Sequence, residues 1–156
     1  MKTIKKILIA LDYDKSAQVV AEVGYSIAKA MNAKVSLIHV MSDSMQYVSP
    51  EHVTIMGFAG QIYPNDENNE GFKKTSFEFL DKTVFHLGDS SIQTVVKEGD
   101  IAEAILTAAK DLSIDIIIMG THSKKWLENI ILGSVTEKVL RLTTIPLFVI
   151  PTKKQE

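Results

Sequence analysis

There is no cysteine among the 156 residues of this chain. That excludes disulfides, thiolate catalysis and cysteine-based zinc sites, and it fits a reducing compartment. No apolar run approaches the roughly 18 residues that a membrane-spanning helix requires, so no membrane partner is expected. The opening MKTIKKILIALDYD places lysines before an apolar run, as a signal peptide does. Here Asp12 and Asp14 cut the run short and no small-residue cleavage site follows, so the expected location is cytoplasmic. Neither sign of charge is in excess: the formal net charge of -2 offers no broad capture of DNA or RNA, and no nucleic-acid partner is expected. Familiar catalytic patterns are missing as well. His39, His52, His86 and His122 show no i, i+4 pairing and no HExxH pattern, so no metal site is expected. There is no nucleophile elbow, no GxxxxGK[ST] and no strand-following GxGxxG, which argues against ordinary hydrolase, NTPase and dehydrogenase chemistry. The single arginine, Arg141, lies inside the last helical pattern and is not aimed at a γ-phosphate in any obvious way.

What is present is an ordinary globular balance, 46% hydrophobic and 23% charged, in a chain whose length suits one domain spanning 1–156. Short apolar runs recur at Ile4–Leu11, Val35–Val40, Ile92–Val96, Ile114–Met119 and Leu147–Ile150. Most are rich in β-branched residues and lack strict alternation, the look of strands buried on both faces. Helical patterns separate them. Val20, Val23, Ile27 and Met31 form the first apolar stripe, and Phe72, Phe79, Leu80 and Leu87 a looser second one. Ile101, Ala104, Ile105, Ala108 and Leu112 follow a capping-box candidate at Asp100 and Glu103; Val135, Val139 and Leu142 follow another at Ser134 and Glu137. Alternating strands and helices with right-handed crossovers predict a parallel sheet covered on both faces, with ligands beyond the carboxyl ends of its strands. Leu11-Asp12, His39-Val40 and Met119-Gly120 mark those ends. One stretch breaks the rhythm: Ser42–Gly71, about thirty residues with Pro50, Pro64 and three glycines, reads as a functional or mobile insertion, with a short helix expected around Glu51–Phe58.

The stretch IDIIIMGTHSKKWLENIILGS carries the most chemical information. A buried strand stops at Gly120, a basic loop follows, and Gly133-Ser134 opens a helix. A glycine at Gly120 permits a sharp turn and a close ligand approach, and free N–H groups at Ser134 and Val135 would point at an anion. The bland alternative is a tight βα turn followed by an ordinary N-cap. Asp12, directly after the first strand, is either a ligand-binding carboxylate or a turn aspartate bonding its own backbone. His39 reads as structural, His122 as a loop residue within reach of a ligand, and Lys124 and Lys125 as phosphate partners or solvated surface.

The segments ILIALDYDKSA, VSLIHV, VVKEGDIAEAIL and IDIIIMGTHSKKWLENIILGSVTEKVLRLTTIPLFVIP together make the chain resemble the universal stress protein family over nearly its whole length. The nucleotide-binding branch of that family carries G-x2-G-x9-G-[ST]. Gly120, Gly133 and Ser134 match it at the right spacing, Ser123 stands in place of the second glycine, and Trp126 replaces a further common glycine. The resemblance implies a single-domain α/β fold, a Rossmann-like five-stranded parallel sheet of order 3-2-1-4-5 with helices on both faces. It implies a bound adenine nucleotide, ATP or AMP, with magnesium possible alongside ATP. Ala10, Asp12 and Val40 would lie near base and sugar, and Gly120, Gly133, Ser134 and Val135 would hold phosphates; Leu11, Met119, His122 and Ser123 complete the expected site. Serine in place of glycine at Ser123 would cost on the order of 1 kcal/mol if that position is left-handed, roughly fivefold in affinity, unless its hydroxyl donates to a phosphate. It also implies a homodimer through the edge strand Leu147–Ile150, bracketed by Pro146 and Pro151.

Three functions follow from these readings. The first is a stress-response protein that binds nucleotide and acts by changing conformation or partner contacts, not a fast enzyme, with slow ATP hydrolysis left open. The second is a dimeric interaction module of the same fold that binds no nucleotide. The third, a phosphoacceptor receiver domain, has no obvious acceptor aspartate where the strand of QTVVKEGD ends and no lysine at the start of the fifth strand.

Overall fold

A computed structural model describes residues 1–41, 54–60, 70–121 and 132–152. Its elements run β1 (Lys6–Ala10), α1 (Ala17–Ala30), β2 (Lys34–Met41), α2 (Glu70–Leu87), β3 (Gln93–Glu98), α3 (Ile101–Asp111), β4 (Ile116–Gly120), α4 (Ser134–Leu142) and β5 (Leu147–Ile150). Every strand pair is parallel, and the sheet order is β3-β2-β1-β4-β5, as expected. Helices α1 and α2 cover one face and α3 and α4 the other.

The central strand shows why the sheet forms. Side chains alternate across a strand, so Ile7 and Ile9 enter the core under α1 and α2 while Leu8 enters the core under α3 and α4. All three are fully buried, and burial of each stabilises by about 1.5–3 kcal/mol. Burial on both faces does not extend to every strand. β3 is an edge, and its residues are exposed or half-buried, so the double-sided burial expected of most of the runs does not include it.

α1 presents a different face from the stripe read off its sequence. Ala17, Val20, Ala21, Gly24 and Ala28 are buried, whereas Val23 and Met31 lie outside. The cause is close approach: a Cβ on Gly24 would sit 2.9 Å from Cδ1 of Ile9. The strand's large side chains fill this interface, so the helix must supply small ones.

The capping expectations divide. Asp100 caps α3 by accepting the Glu103 N–H at 2.9 Å. Ser134 is instead the first residue of α4, whose N-cap is Gly133, and the Glu137 carboxylate pairs with Arg141 one turn on. The helix expected around Glu51–Phe58 is corrected over its described part. Ile55 and Phe58 exchange two backbone hydrogen bonds of 2.9 Å around Met56 and Gly57, both at positive φ, as in the tight turns of hairpins. Phe58 packs edge-to-face on Tyr13 and obliquely on Phe79, which ties this turn to the loop after β1.

Candidate functional site

From β1 the chain moves outward to β2 and β3, then returns to the other side of β1 to form β4 and β5. The connections leaving β1 and β4 therefore diverge, and a crevice opens at their carboxyl ends. A cavity of about 350 Å³ occupies it. Ala10, Leu11 and Asp12 line it at the end of β1, Ile38 and Val40 from β2, and Met119 and Gly120 from β4. The start of α4 contributes Gly133, Ser134, Val135 and Thr136; the start of α1 contributes Ser16, Ala17 and Val20; α3 contributes Ile101 and Ile105. Ala10, Leu11, Asp12, Val40, Met119, Gly120, Gly133, Ser134 and Val135 thus share one cavity, although they come from distant parts of the sequence. His122 and Ser123, with Lys124, Lys125 and Trp126, lie outside the described residues.

Asp12 fills the turn role and also lines the cavity. Its Oδ1 accepts the Tyr13 N–H at 2.9 Å, and its carbonyl accepts the Asp14 N–H at 2.9 Å, so it shapes the turn into α1. Its side chain is nonetheless exposed on the cavity wall, the one ionisable group there among the described residues. On the far side of the same loop the Tyr13 ring meets Phe58 and Phe79 edge-to-face, and burial pushes its phenol pKa up. His39 is structural, as expected. It is buried, and its Nδ1 donates to the Leu11 carbonyl at 2.8 Å, which fixes the end of β1.

Gly120 is small for a reason other than turning. Its φ lies outside the left-handed range, but a Cβ there would meet Cγ2 of Val20 at 2.8 Å and Cγ2 of Thr152 at 2.9 Å. The sharp-turn expectation is corrected: Gly120 is required by packing beneath α1 and the chain after β5.

α4 begins without a side-chain cap. Gly133 has φ -65° and ψ 155°, and the first helical bond runs from Glu137 N–H to the Gly133 carbonyl at 2.9 Å. The N–H groups of Ser134, Val135 and Thr136 have no partner among the described residues. They stand at the positive end of the helix dipole, beside the cavity, and are suited to an anion. Two bonds anchor this helix end to the end of β4: Gly133 N–H to the Thr121 carbonyl at 2.9 Å, and Thr136 Oγ1 to the Gly120 carbonyl at 2.9 Å.

The apolar walls escaped sequence reading. Ile38, Ile101 and Ile105 look like any core residue, and only the topology brings them to the site. Thr136 had one available signal, a hydroxyl two residues after Gly133-Ser134 in the first turn. Among the described residues no group of three or more histidines and carboxylates is placed to hold a metal, and no helix is long and apolar enough to cross a membrane.

The Universal stress protein family model matches residues 3–151. Universal stress protein MJ0531 of Methanocaldococcus jannaschii is 30% identical over 152 residues, covering 97% of this chain and 85% of its own length. Universal stress protein MJ0577 of the same organism is 28% identical over 156 residues, covering 96% of each. The solved structure of MJ0577 superposes with a TM-score of 0.71 at 24% identity over 99% of this chain and 100% of that one. A universal stress protein in complex with cAMP gives 0.65 at 16% identity, covering 97% and 100%. The Archaeoglobus fulgidus universal stress protein in complex with dAMP gives 0.55 at 16% identity, covering 95% and 98%. These structural likenesses establish a shared fold.

Proposed function

Because this chain belongs to the universal stress protein family, we propose that its switch-point cavity binds an adenine nucleotide, ATP or AMP, and that occupancy signals through altered conformation or partner contacts in a stress response. The observation that carries the reading is the set of N–H groups at Ser134, Val135 and Thr136 that have no partner among the described residues, on residues that line a cavity with apolar walls and, among the described residues, one carboxylate. A purine would lie against Ile38, Val40 and Ile105, with Asp12 accepting from sugar or base and the α4 terminus receiving a phosphate. The cAMP and dAMP complexes of two structural neighbours support that chemical class. Magnesium would arrive with ATP, held chiefly by phosphate oxygens, since magnesium sites use one or two carboxylates together with substrate phosphates. A cytoplasmic setting, expected from the interrupted apolar run at the start of the sequence, belongs to the same reading. With Asp12 the one ionisable group on the described wall, the site is built for binding more than for rapid chemistry.

The test is to extract any small molecule that copurifies, then titrate the stripped protein with ATP, ADP and AMP in magnesium by calorimetry. Binding well below about 1 mM is expected, and the absence of any binding up to that concentration rejects the proposal in favour of an interaction module without nucleotide.

Pairing of two copies through Leu147–Ile150 belongs to the same reading. β5 is a sheet edge whose Phe148 is 45% exposed, and Leu140 and Leu142 on the adjacent α4 are 53% and 55% exposed, so a second copy would cover apolar surface. Phe148→Lys is expected to convert a dimer to a monomer in sedimentation equilibrium; an unchanged mass rejects this interface.

A further inference from the structure

We propose that Thr136 is a positioning residue that makes this cavity selective for a phosphorylated ligand, an inference that rests on the nucleotide reading of the site. Four hydroxyl side chains are buried within helices among the described residues: Thr75, Ser76, Thr83 and Thr136. The three in α2 donate to the carbonyl one turn back, at Gly71, Phe72 and Phe79, over 2.8 to 2.9 Å. This is the ordinary destination of a helical hydroxyl. Thr136 lies in the first turn, where the residue four back, Leu132, precedes the helix. Its Oγ1 instead crosses to the Gly120 carbonyl, 2.9 Å away on β4, and its side chain is 3% exposed.

That bond joins the two halves of the site. The Gly120 carbonyl marks the end of β4, and Thr136 follows directly after Ser134 and Val135, which line the cavity and whose N–H groups have no partner among the described residues. Gly120 sits so close to Val20 and Thr152 that an added Cβ would meet their methyl groups at 2.8 and 2.9 Å. Thr121 is also held, its N–H donating to the Ile150 carbonyl and its Oγ1 accepting the Thr152 N–H at 3.1 Å. The Thr136 hydroxyl therefore fixes the first turn of α4 against a rigid strand end and sets the direction of its free N–H groups. An anion is sensitive to that direction; an uncharged purine on the opposite wall is not. Valine has nearly the same shape as threonine, fills the same volume and lacks only the donor.

The experiment compares AMP with adenosine by calorimetry on wild type, Thr136→Ser and Thr136→Val, with thermal unfolding followed in parallel. Wild type is expected to prefer AMP. Thr136→Ser keeps that preference within about twofold, while Thr136→Val lowers AMP affinity about tenfold or more and leaves adenosine affinity within about twofold. If Thr136→Val does not fold, Thr136→Ala takes its place in the same comparison. Equal losses for both ligands, or an unchanged AMP preference in the valine or alanine variant, overturn the inference while the nucleotide reading stands. Wild type that binds neither ligand overturns both.

Discussion

Gly120 and Asp115 show how much individual residues at the two ends of one strand region carry. At the cavity end, the methyl groups of Val20 and Thr152 leave no room for a Cβ on Gly120. Gly120→Ala is expected to lower stability by about 1–3 kcal/mol in chemical denaturation, the usual range for overpacking, and to weaken AMP binding as the β4 end shifts. At the opposite end Asp115 is buried and holds the N-terminal segment. Its carboxylate pairs with the Lys2 ammonium at 2.9 Å and accepts the backbone N–H groups of Lys5 and Lys6 at 2.9 and 3.0 Å. The Lys2 hydrogen bond, followed by that from Lys5, draws its pKa down to about 2 against the opposing effect of burial. A carboxylate with a depressed native pKa contributes stability fully above its unfolded value near 4 and loses that contribution as pH falls through its native value. Wild type is therefore expected to exceed Asp115→Asn in urea midpoint at about pH 6, with the gap closing as pH falls from about 4 towards about 2. A gap independent of pH over that range would contradict this account. At Ser123, substitution by glycine is expected to tighten AMP binding about fivefold if the serine only restricts the backbone; weaker binding would show that its hydroxyl contributes.

Among the elements, α1 teaches the most about what a sequence displays. Its apolar periodicity is real, yet its buried face is made of Ala17, Ala21, Gly24 and Ala28 with Val20. Hydrophobic spacing ranks positions by side-chain apolarity, whereas burial here is decided by how closely the helix approaches Ile9 and Ile118. Gly24→Val is accordingly expected to reduce stability by about 1–3 kcal/mol, although it adds an apolar residue and a better helix former; a neutral or stabilising result by urea denaturation would show that α1 can lift away. α3 was readable because its cap is local, with Asp100 and the Glu103 N–H three residues apart. The start of α4 was read one residue late for the opposite reason. Gly133 caps it without a side chain, and its anchoring partners, Gly120 and Thr121, are distant in sequence. The turn at Ile55–Phe58 was unreadable because it places Met56, a residue type without a turn signature, at positive φ, with its side chain buried.

At the scale of the molecule, the parallel sheet covered on both faces was legible from alternating strand and helix patterns with right-handed crossovers, whereas its order β3-β2-β1-β4-β5 was legible only through the family resemblance. The polar edge of the cavity was legible as residue types: an aspartate after a strand, and glycine-serine before a helix. Its apolar walls were not, since Ile38, Ile101 and Ile105 carry no mark that separates a ligand wall from a core. The central claim is that these pieces form one adenine-nucleotide site with its phosphate at the α4 terminus. Amide chemical shifts of the isotopically labelled protein, followed during titration with AMP, test it most directly. The account predicts saturable shifts concentrated at Ser134, Val135, Thr136 and the Leu11–Tyr13 loop, with the Ser134–Thr136 shifts much reduced when adenosine replaces AMP. Shifts that are absent at about millimolar AMP, or that fall elsewhere on the molecule, would contradict it.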